Sequence, residues 1–339
     1  MNVLLLTSHS IAEYDDLRML TDLGYDTFSI GAYTDPSSPT DDKRPALPDA
    51  PYYADLAARC ETQRMRLGDP GNAIDWAKAS LHEDVIAWAD TIIVHHFPER
   101  WIVPQWQNIK RKRVIWRTCG QSSPDGSLER IMAPLVRQGL EVVRYSPKER
   151  NLPDFAGESA LIRFGKYPGD YGPWIGDDLV VGNVTQHMKQ RGDACGYPAW
   201  AVVTQDLPTK PAGPGSEVLA GGIGALSYTA MLDYLRHLRV YFYTGTQPAS
   251  YTLGLMEAML SGVPVVSIQP NRFGWAERLF EGHEITRYSA PEVLGLRTGL
   301  SDMLQFDQTA ENTSKAMRER AVELFGIEMV GAHWKAFLG

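Results

Sequence analysis

Short apolar runs alternate with longer amphipathic stretches from the first residue onward. That rhythm predicts parallel strands joined by crossover helices. In the first half it predicts strands at 3–6, 27–30, 91–94, 114–116, 142–145 and 160–163, with helices at 13–24, 80–89, 99–109 and 127–138. In the second half it predicts strands at 179–184, 240–243 and 265–268, with helices at 227–238, 253–261 and from about 309 to the end. Gly24 and Gly262 supply helix stops. The stretch 31–71 (TDPSSPTDD, RPALPDAP) breaks the rhythm and is too long for an ordinary connection, which marks a functional or partly disordered loop. A second weakening at 147–174 is the expected linker. The pattern is α/β: two Rossmann-like halves and a helical tail, in which Trp334 and Phe337 offer apolar anchors.

Composition narrows the function classes. A chain of 339 residues suits two domains of roughly 100–200 residues each. Its 33 Lys and Arg against 41 Asp and Glu leave a net charge of −8, which disfavours a nonspecific coat on nucleic acid. Cys60, Cys119 and Cys195 stand far apart without a CxxC pair, so neither a disulfide framework nor a cysteine zinc site is expected, and a reducing cytoplasm is the natural setting. The opening MNVLLLTSHS lacks a basic leader and a cleavage site, and no apolar run reaches the roughly 20 residues of a membrane span.

The segment VYFYTGTQPASYTLGLMEAMLSGVPVVSI (240–268) carries the most chemistry. It reads as strand, small-residue loop, helix and strand, and ligands of open α/β sheets gather at the carboxyl ends of strands. Gly245, Thr246 and Ser250 let the backbone come close to a ligand, and Tyr251, Thr252 and Leu253 lead into a helix whose free N–H groups suit a diphosphate. Glu257 follows within the first helical turns, in reach of a ribose diol. The plain alternative is a tight connection with a solvated glutamate.

The same segment resembles the donor-binding motif of GT-B glycosyltransferases, in particular the large retaining group that includes sucrose synthase-like and mannosyltransferase enzymes. That motif runs Glu, seven residues, Glu, Ala and a GxPVV strand; Glu257, Ala258, Gly262, Pro264, Val265 and Val266 match it, and Ala249 stands at the first Glu position. The resemblance implies two Rossmann-like domains facing a central cleft: an acceptor domain at 1–160, a nucleotide-sugar donor domain at 161–315, and a helix at 316–339 returning to the first. It implies nucleotide binding by Glu257, a UDP-sugar as donor, and no obligatory cofactor or metal. VVGNVTQHMKQRG (180–192) resembles the donor domain's first strand and loop; Asn183 replaces the expected Arg, which moves the diphosphate role to Lys189 and Arg191. The chain also resembles glycosyltransferases encoded by bacteriophages and environmental sequences, through SHSIAEYDDLRML, RTCGQS, VRYSP and YTGTQPASYTLGLMEAM.

In that family the first domain binds the acceptor and often supplies a catalytic His at a strand end. None stands near Cys119 or Gly120, but His95 and His96 end the preceding strand. Arg117 and Gln121 share this edge, and an always-charged Arg suits a leaving phosphate. Ser8 and His9 end the first strand, where a sugar acceptor is held in such folds. Plain alternatives are a structural histidine, a salt bridge for Arg117 and loop capping for Ser8 and His9. The basic run 110–113 reads as a solvated turn, and the acidic pairs at 15–16, 41–42 and 177–178 lack supporting His ligands at a strand end.

The leading expectation is a retaining glycosyltransferase acting on an acceptor hydroxyl. A hydroxylated base of phage DNA, a glycan and a small metabolite are the candidate acceptors. A noncatalytic nucleotide-sugar binder and an epimerase are the alternatives.

Overall fold

The first strand, β1 (Asn2–Leu6), is apolar after Asn2 and buried from Val3 onward. It feeds α1 (Ser10–Asp22), after which the chain turns at Gly24. β2 (Asp26–Ser29), β3 (Thr91–Val94), β4 (Arg113–Arg117), β5 (Glu141–Arg144) and β6 (Ala160–Leu161) follow. All pair in parallel, in the order β2-β1-β3-β4-β5-β6, with Val3 opposite Thr27 on one side and Thr91 on the other. The structure is a computed structural model and describes residues 1–7, 9–29, 44–45, 47, 54–56, 81–95, 97–120, 124–268, 277–279, 289–290 and 293–339. The long stretch at 31–71 therefore lies almost wholly outside the described residues.

A parallel sheet is covered on both faces, and the strand period of two decides which side chain goes where. Leu4, Leu6, Ile92, Val94, Val114, Trp116 and Val142 pack with Val85, Trp101, Trp106 and Met132. Their neighbours Val3, Leu5, Ile93, Ile115 and Val143 pack with Tyr14, Leu17 and Leu20 of α1 and with Val330, Trp334 and Leu338 of the terminal helix Ile327–Leu338.

The chain forms two units, Met1–Gly165 with Ile327–Gly339, and Lys166–Gly326. The division falls a few residues beyond the expected 160. The helix expected from 316 is instead the end of one helix, Asp307–Phe325, and the whole of another, Ile327–Leu338; only the second belongs to the first unit. Gly326 separates them because a Cβ there would lie 2.5 Å from the Val322 carbonyl oxygen. Arg113 fixes the far end of the terminal helix. Its guanidinium donates to the carbonyls of Phe337 (2.9 Å) and Leu338 (3.1 Å), pairs with Glu141 at 2.8 Å, and lies 4.6 Å from the Phe337 ring. A cation at a helix C-terminus satisfies carbonyls that have no partner within the helix. Arg113 is thus a partnered strand residue, unlike the solvated turn expected for 110–113.

The second unit holds β7 (Asp178–Gly182), β8 (Leu238–Tyr243), β9 (Val265–Ile268) and β10 (Ser289–Ala290), parallel and in the order β10-β9-β8-β7. Helix α2 (Leu253–Leu260) connects β8 to β9. Val181, Val240, Phe242 and Val266 pack against Trp200, Val203, Leu296, Leu300 and Met303. The short helices Met188–Arg191 and Tyr197–Val203 lie where no helix was expected, because neither is long enough to show a 3.6-residue period.

One ion pair sits wholly inside the first unit. Arg144, the last residue of β5, donates twice to Glu129 (2.8 and 2.7 Å); both side chains are 0% exposed. The rings of Trp116 and Phe155 lie 5.0 and 4.6 Å from the guanidinium. Arg144→Met should cost about 3–5 kcal/mol in urea unfolding, because it leaves the Glu129 carboxylate buried without its counter-charge. A loss below about 1 kcal/mol would place this pair with ordinary surface bridges.

Candidate functional site

In the second unit the carboxyl edge of the sheet is built from the ends of β7 and β8. Asn183 follows β7 and donates its side-chain N–H to the Phe242 carbonyl at 2.7 Å, tying the two strand ends together. Its Oδ1 is buried with no hydrogen-bond partner among the described residues. After β8 the chain loops through 244–252, with Gly245 at φ +77°, a conformation that glycine adopts without strain. The loop is closed at its base: the Tyr243 hydroxyl is hydrogen-bonded to Thr252, and Thr252 Oγ1 caps α2 by accepting from the Leu255 N–H at 3.3 Å. Burial pushes the Tyr243 phenol up to about 12, so it stays neutral.

The loop rests on the turn Gly192–Cys195. Thr244 Oγ1 donates to the Cys195 carbonyl and the Gln247 N–H to the Ala194 carbonyl, both at 2.7 Å. Burial pushes the Cys195 thiol up, while the charge of Arg191 and a hydrogen bond with Thr246 act against it. Arg191 and Thr246, far apart in sequence, thereby meet at one thiol. Lys189 and Arg191 are both exposed. Among the described residues Lys189 has no hydrogen bond or ion pair, and the only hydrogen bond of the Arg191 guanidinium is 3.4 Å long, to the Gln186 carbonyl. Arg191 therefore brings an uncommitted charge near the loop, and Lys189 lies on the same short helix.

The other expected donor-side residues lie on the same stretch. Ser250 is buried, and its carbonyl accepts from the Glu277 N–H at 2.9 Å. Tyr251 is buried with its ring 5.4 Å from that of Phe325. Leu253 is the first residue of α2. Glu257 is not the solvated helix residue of the plain reading. It is 5% exposed, and its Oε1 accepts from Lys166 Nζ at 2.9 Å.

In the first unit β1 lies between β2 and β3, where the strand order reverses, the usual place for a ligand crevice. His9 follows β1 and His95 follows β3; the His95 N–H donates to the Leu6 carbonyl at 2.9 Å. The His95 side chain is fully buried, with Nε2 3.1 Å from Asp16 Oδ2 on α1. Glu13, one turn earlier on α1, accepts from Ser29 Oγ at the end of β2. Arg117 corrects an expectation. Its guanidinium is buried, donates to the carbonyls of Ile162 and Arg163, and lies 4.6 Å from the Phe164 ring and 5.5 Å from the Trp334 ring. Two of its three nitrogens hold the backbone at the sheet edge, its ring contacts reach the terminal helix, and the buried Nε has no hydrogen-bond partner among the described residues. Ser8, His96 and Gln121 lie outside the described residues.

Asp177 and Asp178 stand at the amino edge of β7, paired with His237 (2.6 Å) and Lys210 (2.6 Å) around an open cavity of about 550 Å³. This is the edge opposite the loop. Among the described residues no three His, Cys, Asp or Glu gather as metal ligands, and no helix is long and apolar enough to cross a membrane.

Asp16 and Lys166 were not expected as site residues, and the expectation that the pair 15–16 lacks a strand-end His is corrected by His95, 3.1 Å from Asp16. Asp16 had a signal: with Ala12, Met19 and Leu20 it falls on the buried face of α1 at helical spacing. Lys166 had none, being a lone cation between Gly165 and Tyr167.

No protein-family model matches the chain, and no curated protein matches its sequence. Solved structures do match its fold. Sucrose-phosphate synthase from Thermosynechococcus elongatus is 13% identical, with a TM-score of 0.68 over 100% of this chain and 98% of that one. HepE from Anabaena, solved in complex with UDP-glucose, is 15% identical, with a TM-score of 0.65 over 100% of this chain and 99% of its own. The chain has the GT-B fold. A glycosyltransferase from Rickettsia africae shares that GT-B architecture at 11% identity and a TM-score of 0.63, over 99% and 97% of the two chains.

One carboxyl at the ends of β4 and β5 is pushed up toward neutrality by burial. Glu149 accepts from Thr118 Oγ1 and the Tyr145 N–H, both at 2.9 Å, joining the ends of β4 and β5. Burial raises it from 4.5 to about 7, against the pull of Arg144 and these hydrogen bonds. The folded chain therefore keeps a proton that the unfolded chain releases near pH 4.5. The stability this gives is complete below that pH and is lost as pH rises through 7. Relative to Glu149→Gln, the wild type should lose about 3 kcal/mol of unfolding free energy between pH 4.5 and 8. Urea curves at the two pH values measure it, and parallel behaviour of the two proteins would contradict the burial effect.

Proposed function

We propose that this chain is a retaining glycosyltransferase that moves a sugar from a UDP-sugar to an acceptor hydroxyl. The observation that carries the reading is the loop 244–252, with uncommitted Arg191 near it and Glu257 on the helix that follows; Lys189 shares the short helix of Arg191. The GT-B likeness to HepE, itself solved with UDP-glucose, supports a nucleotide-sugar donor. In this reading the second unit binds the donor and the first unit binds the acceptor. The wide spacing of Cys60, Cys119 and Cys195, with no CxxC pair in the sequence, supports a cytoplasmic setting.

The chemistry follows from the charges. Arg191, Lys189 and the first N–H groups of α2 take up the charge that develops on the departing diphosphate. Gly245, Thr246, Ser250 and Tyr251 shape the loop around it, and Glu257 accepts from the ribose hydroxyls. Position 249 is Ala, so no carboxylate is placed there to attack the sugar. The bond from the anomeric carbon to the diphosphate breaks, the acceptor oxygen bonds to that carbon on the same face, and the acceptor proton passes to a diphosphate oxygen. On the acceptor side, Ser8, His9 and Gln121 are proposed to meet the acceptor, and His95 or His96 to serve as the catalytic histidine. Of the acceptors considered, the phage-like wording of the sequence supports a hydroxylated DNA base. Transfer to hydroxymethylated DNA, compared with unmodified DNA, a glycan and a small metabolite, decides among them.

A noncatalytic nucleotide-sugar binder is the second reading, favoured by Ala249 and by the commitment of Arg117 to backbone carbonyls. It predicts binding without turnover.

The deciding measurement is a thermal-shift panel of UDP, GDP, ADP, CMP and dTDP. At about a hundredfold excess over Kd, bound UDP contributes ~2.7 kcal/mol, a midpoint rise of a few degrees. Glu257→Ala and Arg191→Ala should each abolish most of that rise. Silence from all five nucleotides would overturn the donor site. His95→Ala and His96→Ala, assayed for transfer, separate the two histidines; full turnover in both would remove histidine from the mechanism.

A further inference from the structure

The buried cation beside the donor helix is not on the nucleotide loop at all. Lys166 is 1% exposed, and its Nζ lies 2.9 Å from Glu257 Oε1. Removing two ions from water costs more than an apolar pair of similar size, so such a pair is weak evidence for stability. Its position carries more information. Glu257 lies one turn into α2, whose first turn opens directly from the loop 244–252.

Lys166 is itself rigidly mounted. Its N–H donates to the Phe325 carbonyl at 2.8 Å, and it pairs with Gly326 in a parallel bridge. The ring of Phe325 in turn lies against Tyr251 of the loop. Lys166, Phe325, Tyr251 and Glu257 therefore form one connected support: the residue whose carbonyl fixes Lys166 sets its ring against the loop, and the cation holds the carboxylate of the helix that follows the loop. A flexible surface lysine would not hold a carboxylate oxygen in one place; this one does.

We propose that Lys166 is a positioning residue for Glu257. It holds the carboxylate oriented to accept hydrogen bonds from the 2′ and 3′ hydroxyls of the donor ribose. The inference rests on the nucleotide-sugar reading above. A purely structural role would make Lys166 matter for folding, or for all nucleotides equally. A positioning role makes it matter for the ribose diol alone.

Calorimetric titration of the full chain with UDP and with 2′,3′-dideoxyuridine diphosphate tests this. The wild type should prefer UDP by roughly tenfold or more, the worth of hydrogen bonds to a charged acceptor. Lys166→Met should bring the preference to within about twofold while leaving the dideoxy affinity unchanged, and Lys166→Arg should restore part of it. Adding Lys166→Met to Glu257→Gln should cost nothing beyond Glu257→Gln alone, since Lys166 acts through that carboxylate. Circular dichroism checks folding; if Lys166→Met does not fold, the milder Lys166→Gln carries the same comparison. An undiminished preference for UDP, or an equal loss for both nucleotides, overturns the positioning role while the nucleotide site stands. A wild type that binds neither nucleotide overturns the nucleotide-sugar reading and this inference with it.

Discussion

A parallel sheet sealed on both faces has nowhere to put charge except at its strand ends, and each charge that ends up buried must be neutralised there. Three arginines of this chain meet that constraint in different ways. Arg117 is answered by two backbone carbonyls and two aromatic rings, Arg144 by a bidentate carboxylate, and Arg239 by the Met303 carbonyl and Asp307. Each of these charges holds structure together. Among the described residues, Lys189 and Arg191, on a short helix outside the sheet, carry no such commitment.

The same constraint explains which parts of the fold could be read in advance. Strand β3 matches its expected limits because every one of its residues is buried and apolar or β-branched, so the run ends where burial ends. β9 is equally legible. The helix expected at 99–109 instead forms two short pieces, Pro98–Trp101 and Trp106–Ile109, because Trp101, Ile102, Trp106 and Ile109 are buried on a path that bends, and periodicity cannot show a bend. The break at Gly326 was invisible for a different reason. What forbids a side chain there is a carbonyl oxygen of the preceding turn, a distance that no hydropathy pattern encodes.

The candidate site divides along similar lines. The loop 244–252 was legible because its small residues, its capping Thr252 and its place after a buried strand are all local features. Arg117 misled because a strand-end arginine reads the same whether its partners are carbonyls or a phosphate. Asp16, His95 and Glu149 acquire their environments only from strands brought together by the sheet. Their burial is a tertiary fact, and in Glu149 it is strong enough to hold a proton to about pH 7 beside a guanidinium.

These two kinds of information meet at Glu257. Its sequence context, a Glu one turn into a helix after a small-residue loop, suggests a carboxylate for a ribose; its structural context, a buried contact with Lys166, suggests a locked residue. The two are compatible because a carboxylate has two oxygens, and an acceptor fixed through one of them loses less freedom when a hydroxyl meets it. Pre-organisation of this kind lowers the cost of binding without adding a contact. A buried ion pair that adds little to stability is thus put to use where an orientation has to be held, and the same reasoning separates the committed Arg117 from the uncommitted Arg191. In this chain the role of a charge follows from what already satisfies it.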